Sequence, residues 1–190
     1  KTFSAFEKAR KLKADGIELD IQQTKDGQLV VFHDLDLFRL TGKKKLINEC
    51  TYEEISALRS GKHFTRCFSK QRIPTFQEVV EWSKMYQMPL NVELKESLLE
   101  DTTPLINMLQ HITLPHGSHF SSFHDELIKI VKMQRPDLET AILVTKKFNW
   151  KDLSKISYID AVHANKRYYK EQYLKECLEA NIGVRFYAID

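Results

Sequence analysis

The sequence predicts one α/β domain over residues 1–190, built on a largely parallel sheet. From residue 75 onward, helix patterns alternate with short β-prone segments, which is typical of parallel strands joined by helical crossovers. Capping-box patterns, in which a Thr precedes a Glu by three residues, mark helix starts at Thr51 and Thr75. The third observation is a β-prone segment, residues 16–20, that carries two carboxylates between apolar residues.

Composition fits a globular domain of ordinary kind. The 190 residues are 42% hydrophobic and 29% charged, with a formal net charge of +3, so the chain can bury a sizeable core. The densest basic cluster, residues 43–45, is too short to predict a nucleic-acid partner. The sequence contains no apolar run of about 18 residues, so we expect no membrane-spanning helix within it. We expect a cytoplasmic protein and leave its oligomeric state undecided. The alternative is a protein from which a signal peptide before Lys1 has been removed.

The three cysteines, Cys50, Cys67 and Cys177, do not predict a disulfide framework or a metal site. Their number is odd, and none stands in a Cys-x-x-Cys pair. We expect free thiols.

The first elements form a helix followed by a strand. Phe3, Phe6 and Ala9 recur at helical spacing and predict a helix through about Lys13. The β-prone residues 17–21 then predict a short buried strand.

A tight reversal follows the strand. Asp26-Gly27 between two β-prone segments is a strong hairpin signal. Residues 28–32 must therefore run antiparallel to the preceding strand, since parallel neighbours need a long crossover. This reversal returns His33 to the level of Asp20.

An irregular insertion at about residues 35–73 comes next, and its one clear helix follows Thr51. The remaining chain alternates regularly, with Pro104 at the first position of a helix that we expect Thr103 to cap. Six strands are expected in the main sheet, excluding the returning strand of the hairpin. After the first, these are residues 90–95, 119–123, 139–144, 160–164 and 183–190. One helix is expected to start at Thr75, and others fall near 103–112, 125–133, 150–155 and 173–178, the last with Tyr173, Leu174, Cys177 and Leu178 inward.

Paired carboxylates predict a site for a hard cation. Glu18 and Asp20 share one face of their strand, because residues i and i+2 point the same way. By the same rule Glu93 and Lys95 share a face of a later strand. Oxygen ligands of this kind suit Mg²⁺ or Ca²⁺, so we expect Glu18, Asp20 and Glu93 to hold one divalent cation. A surface ion pair is the plain alternative for Glu93 and Lys95.

His33 is the candidate for proton transfer. A histidine imidazole exchanges protons near neutral pH, so it can protonate a leaving alkoxide or deprotonate a nucleophile. Taken alone, a His-Asp pair is more often structural, with Asp34 fixing the ring.

Five segments together resemble the successive motifs of the glycerophosphodiester phosphodiesterase family. They keep the family's order and spacing across essentially the whole chain: residues 2–6 (TFSAF), 15–20 (DGIELD), 24–27 (TKDG), 30–34 (VVFHD) and 91–95 (NVELK). The resemblance implies a TIM-type (β/α)8 barrel that hydrolyses glycerophosphodiesters to glycerol 3-phosphate and an alcohol, using a divalent metal and two histidines. It makes His33 one of those histidines. It also makes Lys95 a catalytic and substrate-binding cation at the phosphoryl oxygens.

The resemblance also assigns two late residues to the substrate site. His163 stands near a family position that lines the site, although plain packing explains it equally well. Tyr187 resembles the late-strand aromatic near the glycerol pocket, while Asp190 stands where the family usually has Asn. His111, His116, His119 and His124 have no partner pattern and are expected in loops or in the core.

The chain departs from the family pattern at its start. The family's first strand carries His-Arg and then Glu-Asn-Thr, of which only Thr2 is present, with Lys1 in the Asn position. We therefore expect a barrel whose first and eighth strands are missing from this chain. Alone, residues 1–190 would be inactive and poorly stable, because unpaired parallel edges and an open core remain.

Two other functions stay open at this level. One is a related barrel phosphodiesterase acting on a lipid head group, of the sphingomyelinase D or phosphoinositide phospholipase C type. The other is a barrel that has lost catalysis and serves as a binding module. The family resemblance itself implies a small-molecule glycerophosphodiester as the substrate.

Overall fold

A computed structural model describes residues 2–38, 42, 44–58 and 72–189 of the chain. It divides into two compact units, Lys1–Ser118 and His119–Asp190. Each unit is described separately below. The single-domain organisation stays a prediction.

Among its described residues, the first unit contains three strands and four α-helices. Strand β1 (Ile17–Gln23) pairs antiparallel with β2 (Leu29–Val31) and parallel with β3 (Leu90–Leu94). The helices are α1 (Phe3–Lys11), α2 (Tyr52–Ser56), α3 (Phe76–Tyr86) and α4 (Thr103–His111), with short 3-10 turns at Ile47–Glu49 and Glu96–Leu99.

Both predicted capping boxes are present. The Thr75 hydroxyl accepts the Glu78 N–H at 3.2 Å, and the Glu78 carboxylate accepts the Thr75 N–H at 2.9 Å. Thr51 and Glu54 form the same reciprocal pair before α2. These bonds satisfy backbone donors that a helix start otherwise leaves unpaired.

The predicted cap of α4 was wrong. The helix begins at Thr103 itself, and Thr102 occupies the cap position without a side-chain hydrogen bond. The Asp101 carboxylate instead accepts the Thr103 N–H at 2.9 Å. Leu105 and Leu109 are buried as expected.

The predicted hairpin is confirmed. Ile21 pairs with Val31 and Gln23 with Leu29, leaving a five-residue loop whose Gly27 has φ +78°. That left-handed conformation strains an L side chain. A Cβ at Gly27 would also lie 3.3 Å from Pro104 Cγ.

The described parts of the insertion pack against the hairpin in a small apolar cluster. It joins the hairpin to the insertion through Val30, Phe32, Leu37, Ile47, Cys50, Ile55 and Ile73. Cys50 is buried there as a free thiol, as predicted, and Cys67 lies outside the described residues.

The second unit holds four strands in parallel. They are β4 (His119–Ser122), β5 (Glu139–Leu143), β6 (Ala161–Asn165) and β7 (Gly183–Tyr187), paired in that order. Helices α5 (Asp125–Gln134) and α6 (Glu171–Glu179) accompany them, with 3-10 turns at Trp150–Lys155 and Lys166–Tyr168. Cys177 is a buried free thiol in this unit's core.

Two expectations for the second unit were wrong. The last strand ends at Tyr187, because Ala188 has φ 57°, which leaves the extended conformation. Asp190 lies outside the described residues. Leu178 is 81% exposed, since it is turned by about 100° from the buried Cys177.

The six strands expected in the main sheet are all found among the described residues, with ends that differ by one to three positions. No helix in the described ranges has both the length and the apolar character needed to span a bilayer.

The capping box of α3 generates a stability prediction. Thr75→Ala removes the hydroxyl acceptor, so the free energy of unfolding of the complete protein should fall by about 1 kcal/mol. Thr75→Ser keeps an acceptor and should lose much less. Urea unfolding of the three proteins tests this expectation, and equal losses in both variants would contradict it.

Candidate metal centre

Three carboxylates come together where β1 lies beside β3. The parallel register places Asp20 opposite Glu93, and Glu18 shares the strand face of Asp20. Each of the three side chains offers an oxygen, and these oxygens all lie within 4.8 Å of one another. The structure thus brings together the three residues predicted to hold a cation.

The three carboxylates differ in their contact with solvent. Asp20 is 1% exposed, Glu93 is partly buried, and Glu18 is exposed. A ligand can therefore approach from the side of Glu18.

The centre lies along β1, where this strand pairs with β3, and β1 extends beyond it. Asp20 is followed by three more residues of the strand, ending at Gln23. The strand continues because residues 21–23 pair with β2 in the hairpin.

Lys95 lies directly after β3 and neutralises part of this negative charge. Its Nζ is 2.9 Å from Asp20 Oδ1 and also donates to Glu93 Oε1. Burial by itself lowers the pKa of Lys95, but the hydrogen bonds and charges of Glu93 and Asp20 outweigh it, so that pKa is raised. The side chain is therefore a firmly protonated ammonium group.

The donor set fits a divalent cation. Three carboxylates and one ammonium group give the cluster a net charge of −2. Carboxylate oxygens are the ligands that hard cations such as Mg²⁺ and Ca²⁺ prefer.

His33 reaches the level of Asp20 as the hairpin predicted. The Phe32 N–H donates to the Asp20 carbonyl at 3.1 Å, and His33 is the next residue. Its Nδ1 is 2.9 Å from Asp34 Oδ1, and its side chain is 64% exposed. The ring is thus oriented by a carboxylate and open to solvent.

Gln22 is a residue of this site that sequence analysis missed. Its side-chain amide donates to the carbonyls of Phe32 at 3.0 Å and of Asp34 at 2.5 Å. It thereby fixes the backbone on both sides of His33. Its position two residues after Asp20, on the same strand face, was the available signal.

His163 lies in the second unit, in the middle of β6. It is 5% exposed, and its ring packs edge-on against His119 with centroids 5.1 Å apart. Burial, helped by the nearby His119 and Arg185, lowers the pKa of His163 to about 3. The ring is therefore neutral at physiological pH. Its role in lining the substrate site stays a prediction.

Tyr187 is the last residue of β7 and is 38% exposed. Its proposed place near a glycerol pocket also stays a prediction.

Comparison with known proteins identifies the family. The profile of the "Glycerophosphoryl diester phosphodiesterase family" matches residues 1–187. The chain belongs to this family.

Two curated relatives illustrate the similarity. A glycerophosphodiester phosphodiesterase of Caldanaerobacter subterraneus subsp. tengcongensis is 36% identical over 147 residues, or 75% of this chain and 60% of that protein. One from Bacillus altitudinis is 34% identical over 148 residues, with the same two shares. The chain thus spans about 60% of the length of these relatives.

Solved structures confirm the fold class. A phosphodiesterase of Oleispira antarctica, solved with the product sn-glycerol-3-phosphate, superimposes with a TM-score of 0.85 at 25% identity, over 100% of this chain and 78% of that one. A glycerophosphodiester phosphodiesterase of Agrobacterium tumefaciens gives a TM-score of 0.81 at 20% identity, over 100% and 81%. The chain has the TIM-barrel fold of these enzymes.

The buried His163 generates a pH prediction. The unfolded state takes up a proton below about pH 6.5, whereas the folded state keeps the ring neutral down to about pH 3. The contribution of His163 to the free energy of unfolding is therefore complete above this pH window. It is lost as the pH falls through the window, by up to about 1.4 kcal/mol per pH unit. In His163→Gln the loss between pH 7 and pH 5 should be smaller than in the parent.

Urea unfolding of the complete protein at several pH values measures this slope. His116→Gln, at an exposed position, is the matched control and should keep the parent slope. A His163→Gln slope equal to that of the parent would refute the assignment of a buried neutral ring.

Proposed function

We propose that the complete protein hydrolyses glycerophosphodiesters to glycerol 3-phosphate and an alcohol. The observation that carries this proposal is the cluster of Glu18, Asp20, Glu93 and Lys95 beside the solvent-facing His33. Family membership supports it, because the relatives share the name of this activity.

Glu18, Asp20 and Glu93 would hold one divalent cation, Mg²⁺ or Ca²⁺. When bound, such an ion supplies positive charge that polarises a phosphoryl oxygen and stabilises the transition-state charge. Lys95 already holds two of these carboxylates in place, and its third N–H group can donate to another phosphoryl oxygen.

His33 would exchange the proton. With Nδ1 directed at Asp34, the other ring nitrogen, Nε2, is the atom that protonates the leaving alkoxide or deprotonates the nucleophile. Gln22 supports this role as a positioning residue, since it fixes the backbone of the His33 turn.

The substrate is therefore a small diester, reached from solvent on the exposed side of the centre. The choice between Mg²⁺ and Ca²⁺ and the cytoplasmic location stay predictions.

The carboxylate cluster predicts one divalent-cation site. Asp20→Asn and Glu93→Gln each remove a charged ligand, so binding of Mg²⁺ or Ca²⁺ by the complete protein should weaken by at least about tenfold. Calorimetric titration measures the affinity directly. Glu81→Gln, an exposed carboxylate on α3, is the matched control and should bind as the parent does. Undiminished binding in both site variants would reject the ligand assignment.

The exposed imidazole predicts a loss of turnover. His33→Ala should lower the kcat of the complete protein for glycerophosphoethanolamine by about 10²-fold or more, because proton transfer loses its donor. Divalent-cation binding and thermal stability should change little. His116→Ala controls for removal of an exposed imidazole, and a kcat for His33→Ala near that of the control would exclude the role. Activity that persists in excess chelator would exclude the metal.

A further inference from the structure

Two short segments of the second unit concentrate positive charge at one edge of its sheet. Residues 145–151 (TKKFNWK) come after β5, and residues 166–170 (KRYYK) come after β6. Because β5 and β6 are parallel neighbours, both segments leave the sheet at the same carboxyl edge. We call this surface the basic edge. It carries six exposed basic residues and no carboxylate within the two segments: Lys146, Lys147, Lys151, Lys166, Arg167 and Lys170.

The six cations decide the sign of the charge of the whole chain. The chain has 29 basic and 26 acidic residues, so removing these six would change its formal net charge from +3 to −3. All of them except Lys166 lack an ion pair with a carboxylate among the described residues. Asp152, which follows the first segment, is already bound by the Lys155 ammonium group and the Asn149 amide, at 2.5 Å each. The positive charge is therefore available to an anionic partner.

Aromatic side chains hold the two segments together. Trp150, from the first segment, is buried and stacks on Tyr173 of α6 with centroids 4.5 Å apart. Its ring also lies 6.0 Å from that of Tyr168, which belongs to the second segment. The Arg167 guanidinium lies 5.0 Å from the centroid of the Tyr168 ring. The cations of both segments are thus presented on one packed base.

Large apolar groups also project from this edge. Tyr169 is 69% exposed, and its ring rests edge-on against Phe186 of β7 at 5.1 Å. Ile189 is 73% exposed and follows β7, which pairs in parallel with β6, so it also lies beyond the carboxyl edge. Exposed apolar groups gathered on one surface mark sites of contact with proteins or membranes. The basic edge therefore combines charge with apolar projections.

We propose that the basic edge docks the complete protein on an anionic lipid surface. Anionic head groups supply the complementary charge, and lysine side chains can keep their ammonium groups at head-group level. Tyr169 would enter the interface, where a tyrosine keeps its ring in the apolar layer and its hydroxyl in water. A nucleic acid would supply the same charge, but it offers no apolar environment to an aliphatic side chain such as Ile189. The combination therefore favours lipid.

Vesicle binding tests the electrostatic part of this contact. The complete protein should co-sediment with vesicles of phosphatidylcholine that contain about one third phosphatidylglycerol, and much less with pure phosphatidylcholine vesicles. Added salt should weaken the binding, because it screens the charges. Equal binding to both kinds of vesicle, or binding to neither, would overturn the proposal.

A charge variant locates the surface. Each cation at an anionic membrane contributes about fivefold to affinity, so Lys146→Gln, Lys147→Gln and Arg167→Gln together should lower vesicle affinity by about 10²-fold. The control removes the same charge at three exposed positions on α1 and α3, with Lys8→Gln, Lys11→Gln and Lys84→Gln. Thermal unfolding should show that both variants are folded. Equal losses of affinity in the two variants would overturn the assignment of this edge.

Tyr169 distinguishes a lipid surface from a polyanion. Tyr169→Gln should lower affinity for the anionic vesicles by about fivefold, whereas Tyr169→Phe keeps the ring and should retain it. Parent-like vesicle affinity in Tyr169→Gln would overturn the lipid assignment. So would tight binding of poly(U) RNA without vesicle binding. These measurements use no substrate, so their outcome is independent of the proposed reaction.

Discussion

The parallel pairing of β1 with β3 is the contact on which the proposed site depends. Its register puts Asp20 against Glu93, and a shift by one residue would turn one of these side chains to the opposite face. Two carboxylates held this closely repel each other in a poorly solvated place. Lys95 offsets that repulsion, since its ammonium group contacts both. The cluster therefore combines a fixed position with residual negative charge.

That combination explains why the site is better suited to binding a ligand than to stabilising the fold. A buried ion pair adds little to stability after the cost of desolvation, yet loss of one partner leaves an uncompensated charge. Among the described residues, the cluster holds three carboxylates and the ammonium group of Lys95, so it retains an excess of acceptors. A bound cation would satisfy that excess, and its binding free energy would add to the stability of the folded state.

The hairpin supplies the second half of the arrangement. It returns the chain so that Phe32 bonds to Asp20, which delivers His33 without a long connection. Gln22 then fixes the turn through two carbonyls. The position of the imidazole thus depends on one buried side chain.

The sequence by itself determined the elements and the faces of the strands. Capping boxes and the Asp26-Gly27 turn depend on local backbone chemistry, so they predicted the helix starts after Thr51 and Thr75 and the return of His33 correctly. Alternation in a strand likewise placed Glu18 and Asp20 on one face. The five ordered motifs then led to the fold class, which the solved structures confirm.

Only the tertiary structure decided register, burial and the completeness of hydrogen bonding. Local pattern does not tell that Asp20 is buried while Glu18 is exposed, because burial depends on segments that are distant in sequence. Nor does it tell that Gln22 Oε1 finds no hydrogen-bond partner within the described part of the chain, or that His163 is held neutral beside another histidine. These properties arise when separate strands and loops pack together, and no short stretch of sequence contains that information.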